Sequence, residues 1–181
     1  MREVAQEERA GLGLADDEPL DPHALAAEHG IPVYSLTDLL EQDLPPETHE
    51  HFQTAATDAW SAALVPLGAA RIIVENDAHA QVRRRSNIAH ELGHHFLEHE
   101  FDAVILGSDH RRQFNPEHEK QATFMSGELL IPEQAARQAA KQGWDDQQVA
   151  SRFQVSTQFA QMRMAGARVI AARTAKKYGR P

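Results

Sequence analysis

The sequence predicts a mainly helical α+β fold with a small β-sheet. Helix start and stop signals recur along most of the chain. Only two stretches, Ala62-Ala63-Leu64-Val65 and Ala70-Arg71-Ile72-Ile73-Val74, combine apolar and β-branched residues in the manner of strands. With 181 residues the chain is long enough to bury a core, and one domain with an appendage is the expected organisation.

Composition narrows the chemistry. There are no cysteines, which excludes disulfides and thiolate metal sites and leaves histidine and carboxylate as the strong metal ligands. No run approaches the apolar length of a membrane span, and the polar, acidic start Met1-Arg2-Glu3-Val4-Ala5-Gln6-Glu7-Glu8 is unlike a secretory signal, so a cytoplasmic location is expected. Net charge is −9 but unevenly spread. Residues 1–50 hold thirteen Asp and Glu against two Arg, whereas residues 162–181 hold six Arg and Lys and no acid. An acidic chain is a poor nucleic-acid binder as a whole, because phosphate contacts dominate such affinity. The basic tail keeps DNA binding open locally without favouring it.

Taken in order, residues 1–20 show no periodicity and read as a mobile leader. Residues 21–132 read as the core and residues 133–181 as a C-terminal helical segment with a basic tail. Asp21-Pro22 looks like an N-cap followed by proline at the first helical position, and that helix should stop at Gly30. Ile31-Pro32-Val33-Tyr34 reads as extended, and Ser35-Leu36-Thr37-Asp38 as a capping box with Asp in the place of Glu. Pro45-Pro46 opens a further helix. The two strands follow, separated by Pro66-Leu67-Gly68; the second is either an edge strand able to pair with an extended peptide or a core strand.

The helix after them carries the chemistry. Ser86 or Asn87 is expected to cap it, with Ile88, Ala89, Leu92 and Phe96 as its apolar stripe. His90 and His94, four residues apart, lie on one face one turn above each other, so both imidazoles can reach a single ion. Glu91 lies between them in the H-E-x-x-H pattern of zinc peptidases, where it serves as general base. Zinc held by three protein groups keeps a fourth position for water. Eleven histidines make an accidental match plausible, so context must decide.

The context is a third ligand. An extension to a third histidine fails, because Leu97 and Glu100 stand where that pattern needs Gly and His. His95 and His99 are expected to face solvent or a loop. Asn115-Pro116 then opens a helix closed by Ile131-Pro132, and two glutamates near its start compete. Glu119 shares a face with Ala122, Ser126, Leu129 and Leu130, residues suited to close packing. Glu117 shares its face with Lys120, Gln121, Phe124 and Glu128, mostly a solvent face. Helical geometry favours Glu119.

Ala89-His90-Glu91-Leu92-Gly93-His94, followed by Glu119-Lys120-Gln121-Ala122-Thr123 and Leu129-Leu130-Ile131-Pro132, resembles the ImmA/IrrE family of bacterial metallopeptidases. The likeness extends to Gly30-Ile31-Pro32-Val33 upstream and to residues 149–156 downstream. It implies a zincin-like minimal core of the gluzincin type, one Zn²⁺ per chain, His90, His94 and Glu119 as ligands and Glu91 as catalytic base. Thr123 stands where the family commonly has Asn or Asp, a side chain suited to hydrogen-bonding a ligand. The resemblance further implies a restricted protein substrate: a separate XRE-type helix-turn-helix repressor, cut so that genes are derepressed under stress or on mobile-element induction. The competing reading is a regulatory module that binds a repressor or DNA without cutting, or a metal sensor using the same site. His118 and His110 are the candidates for steadying an oxyanion.

Beyond Pro132, a helix to Lys141, a second capped by Asp145-Asp146 and a third capped by Val155-Ser156 are expected, the last with Phe159, Met162 and Met164 on its inner side. Helix, short turn, helix is also the order of a helix-turn-helix DNA reader, with Gln158, Gln161 and Arg163 as groove-facing candidates. A helical bundle is the favoured reading.

Overall fold

The computed structural model describes residues 1–99 and 115–178. Its first half contains α1 (Arg2–Gly11), α2 (Pro22–Glu28), β1 (Val33–Ser35), α3 (Leu36–Leu40), α4 (Pro46–Gln53), β2 (Ala62–Leu67) and β3 (Ala70–Glu75). Then follow α5 (Gln81–Phe96), α6 (Pro116–Leu130), α7 (Glu133–Lys141), α8 (Asp146–Phe153) and α9 (Thr157–Tyr178). This is a mainly helical α+β fold. Among the described residues no helix is long and apolar enough to cross a membrane.

The chain divides into two compact units, one of Met1 with Asp21–Ser126 and one of Arg2–Leu20 with Gly127–Pro181. The division falls inside α6, earlier than the boundary expected at Pro132. In the first unit the strands form one mixed sheet of order β1-β3-β2. β1 runs parallel to β3, with Val33 opposite Ile73, and β2 runs antiparallel to it, with Leu64 opposite Ile73. The second predicted strand is therefore the central one, with a partner on each side, and cannot itself receive an added peptide. Among the described residues β1 and β2 are the two edge strands.

Pro66 and Leu67, expected to separate the strands, belong to β2. An edge strand tolerates proline because it need not donate to a ladder on both sides. The hairpin closes through the two-residue loop Gly68-Ala69, and Gly68 has a φ of +62°, which a tight type II′ hairpin turn demands at its first position. Ile73 at the sheet centre and Leu64 on β2 are buried, as are Ile88, Ala89 and Leu92 on α5.

Local chemistry explains the element starts. Asp21 accepts the amide of His23 at 3.1 Å and caps α2. Ser35 and Asp38 form the expected capping box, each accepting the other's backbone amide. The loop from α4 to β2 is tied by Asn76, whose buried amide nitrogen donates to the carbonyls of Phe52, Thr57 and Trp60 at 3.2–3.3 Å. At the end of β3 the buried carboxylate of Glu75 accepts Arg84 Nε at 3.1 Å and faces His23 Nε2 at 3.5 Å. Burial pushes Glu75 up, but the hydrogen bonds from His23 and Arg84 more than offset this and leave its pKa at about 2. In turn the bond to Glu75 raises His23.

In the second unit the leader reading is corrected: residues 2–11 form a helix, and Arg9 on it is only 2% exposed. Its guanidinium donates to the carbonyls of Leu129, Ala15 and Glu18 at 2.6–2.7 Å. Local periodicity misses this because the buried face is anchored by a charged side chain with carbonyl partners, not by an apolar stripe. Arg163 donates to the carbonyl of Ile131 at 2.7 Å and to Glu128 at 3.0 Å. Two guanidiniums thus satisfy carbonyls at the C-terminal end of α6, where the helix leaves them without intrahelical partners and cations are favoured. Glu128, assigned to a solvent face by spacing, is accordingly buried. Met162, expected on the inner side of α9, is 51% exposed, whereas Met164 is fully buried.

Candidate metal centre

α5 starts at Gln81, earlier than Ser86 or Asn87. Ser86 lies inside the helix and turns its hydroxyl back to the carbonyls of Val82 and Arg83, both at 3.0 Å. The longer helix places His90 and His94 well away from its start. Their Nε2 atoms face each other at 3.1 Å.

α6 begins as the sequence indicates, with Asn115 Oδ1 accepting the amide of Glu117 at 3.0 Å and Pro116 at the first helical position. The two helices approach closely at Gly93. A Cβ there would lie 2.9 Å from the Ala122 carbonyl oxygen and 3.2 Å from its Cα, so only glycine lets α6 come this near. Ala122 is fully buried on the opposing face. This approach brings the Glu119 carboxylate to 3.1 Å from His90 Nε2 and 3.4 Å from His94 Nε2. The ligand atoms of His90, His94 and Glu119 all lie within 4.8 Å of one another, the one such group among the described residues. Glu117, the competing glutamate, instead pairs with Lys120 at an exposed position.

Glu91, between the two histidines on α5, reaches the sheet. Its carboxylate is buried, and Oε2 accepts the backbone amide of Leu64 at 2.8 Å. Leu64 lies on β2 opposite Ile73 of β3, so this bond ties α5 to the sheet.

His99 departs from expectation. Spacing places it against solvent or a loop, yet it is 6% exposed, and its Nδ1 lies 2.9 Å from His94 Nδ1. Its Nε2 lies 2.9 Å from Gln121 Oε1 on α6. The end of α5 explains the placement. Glu98 takes a left-handed conformation with φ of 50°, its amide bonds the His95 carbonyl at 3.0 Å, and the His99 amide bonds the His94 carbonyl at 3.1 Å. This is a Schellman ending, which turns the chain back over the last helical turn. Glycine usually marks such a turn, and Glu98 gives no such signal in the sequence.

The other predicted residues fall as follows. His118 stacks flat on His99 with ring centroids 4.2 Å apart and an interplanar angle of 6°. His95 meets Arg71 at 3.0 Å and the His29 ring edge-on. His110 lies outside the described residues. Thr123 is exposed, and its hydroxyl makes no hydrogen bond among the described residues. In the C-terminal segment α8 and α9 have helix-turn-helix order, but Arg163 is occupied by Ile131 and Glu128, and Arg168 by Asp146 and the Trp144 carbonyl.

Comparison with protein families matches residues 26–165 to the peptidase M78 family, described as the IrrE N-terminal-like domain. No curated protein and no solved structure gives a significant match.

Proposed function

Because the chain belongs to the M78 family of metallopeptidases, we propose that it is a zinc-dependent endopeptidase with His90, His94 and Glu119 as ligands and Glu91 as general base. The carrying observation is the convergence of the three donors. A tetrahedral zinc with bonds of about 2.0–2.2 Å separates its ligand atoms by roughly 3.4 Å. The two Nε2 atoms lie 3.1 Å apart, Glu119 Oε2 lies 3.1 Å from His90 and Oε1 3.4 Å from His94, and one ligand atom from each residue falls within 4.8 Å of the others, a spacing a single ion can draw together. Two imidazoles and a carboxylate are also a donor set suited to zinc in a hydrolase. When bound, the metal would polarise a scissile carbonyl and acidify a water molecule.

The chain's own residues supply the rest. Glu91 accepts the proton of the attacking water and returns it to the leaving amine. Its bond from Leu64 fixes the carboxylate for this task. The outer edge of β2, beside Glu91, is where an extended substrate can pair by backbone hydrogen bonds. The substrate is accordingly a protein. The finer reading, a helix-turn-helix repressor of the XRE type whose cleavage derepresses stress or mobile-element genes, draws its support from the family resemblance.

The test uses the full chain loaded with zinc and a repressor encoded beside it. Zinc stoichiometry should fall for Glu119→Ala and stay at one for Glu117→Ala. Glu91→Gln should keep the zinc while cleavage falls by about 10²–10⁴-fold. A repressor inactivated as well by Glu91→Gln as by the parent protein would refute the peptidase reading.

A further inference from the structure

We propose that His99 is a positioning residue of the metal centre: it accepts the Nδ1 proton of His94, so fixing His94 Nε2 as the ligating atom, and passes the constraint to Gln121. The inference rests on the metal reading above. It follows from the order of donors and acceptors along one chain of side chains. Gln121 Oε1, an amide oxygen, can only accept, so His99 Nε2 at 2.9 Å donates to it. A neutral imidazole carrying its proton on Nε2 has a bare Nδ1, and the contact of 2.9 Å to His94 Nδ1 then requires His94 to donate. His94 Nε2 is left with its lone pair available to a metal. That is the atom facing His90 at 3.1 Å and Glu119 at 3.4 Å.

The ring making these bonds is held by several neighbours. Its backbone amide returns to the His94 carbonyl through the Schellman ending, so main chain and side chain of His99 address the same residue. His118 covers one face of the imidazole by stacking, and burial shields the bond to His94 from water. Gln121 lies two residues beyond Glu119 on α6, so the chain links a ligand of one helix to the helix supplying another. A metal-bound imidazole oriented by a partner on its second nitrogen is a general device for raising affinity, and loss of such a partner weakens binding by about 10–100-fold.

The experiment measures the zinc dissociation constant of the full chain by chelator competition, beside the unfolding midpoint of each metal-free protein. His99→Phe keeps the ring and its stack on His118 but removes the acceptor; His99→Asn restores an oxygen near the Nδ1 position. We expect His99→Phe to weaken zinc binding about 10–100-fold and His99→Asn to remain within about fivefold of the parent. The Co²⁺ absorption spectrum should change in the first and not in the second. A folded His99→Phe that binds zinc as the parent does overturns the inference, as does an equal loss in both variants. Should His99→Phe fail to fold, Gln121→Leu against Gln121→Glu decides: weakening confined to Leu supports the chain, and no difference refutes it. A parent protein that binds no zinc, or whose binding survives His94→Ala, overturns the metal reading itself and this inference with it.

Discussion

The backbone amide of Leu64 donates to the carboxylate of Glu91 at 2.8 Å, joining the edge of the sheet to the helix that carries both histidines. Both groups are buried, so the bond has structural weight apart from chemistry. In the metal-free protein Glu91→Gln should change stability by less than about 1 kcal/mol, because the amide oxygen of Gln still accepts. Glu91→Ala should cost about 1–3 kcal/mol by leaving the Leu64 amide unsatisfied. Denaturant midpoints of the two variants check the difference, and equal midpoints would contradict it.

Gly93 is the second structural determinant of the site. A methyl group there meets the Ala122 backbone, which has no flexible end to swing aside. Gly93→Ala should therefore cost about 1–3 kcal/mol through overpacking, against the gain in helix propensity expected elsewhere. Because α6 carries Glu119, zinc affinity should fall as well. Thermal unfolding and chelator competition give the two readouts; a more stable variant with unchanged affinity would show that the close approach is dispensable.

The Glu75 cluster is expected to set an acid limit on the first unit. The folded-state pKa of Glu75 is about 2, below its ordinary 4.5, so its stabilisation is present above about pH 4.5 and is lost as pH falls toward 2. His23 has the opposite sign: raised above 6.5, it stabilises below that pH, and the contribution fades as pH rises through its folded value. Metal-free Glu75→Gln should lose about 3 kcal/mol near neutral to weakly acid pH and show a flatter stability profile between pH 5 and 2. Urea midpoints across pH for variant and parent measure this. Parallel profiles would rule the cluster out as the acid limit.

Much of the site is legible in the sequence. The spacing of His90 and His94 places them together on any helix, since 3.6 residues per turn is a local property. Asn115-Pro116 sets the register of α6, and that register separates Glu119 from Glu117. Capping signals at Asp21, Ser35 and Asp145 mark helix starts correctly because a cap involves only neighbouring residues. The failures have separate causes. Ser86 has the chemistry of a cap, but its hydroxyl bonds back inside a longer helix. Residues 2–11 show no apolar stripe, and their buried Arg9 is held by the Leu129 carbonyl far along the chain and by the nearby Ala15 and Glu18 carbonyls.

The shared face of the two histidines, the helix that carries Glu119 and the family all follow from sequence, since each depends on neighbouring residues or on matching motifs. The folded chain was needed to show that β3 is central and β2 an edge among the described residues, that Glu91 accepts from Leu64, and that His99 folds back under His94. Strand order and hydrogen bonds between distant residues carry no local period. A left-handed turn at a glutamate gives no glycine to announce it, so the place of His99 becomes visible only when the chain end closes over the helix it has just left.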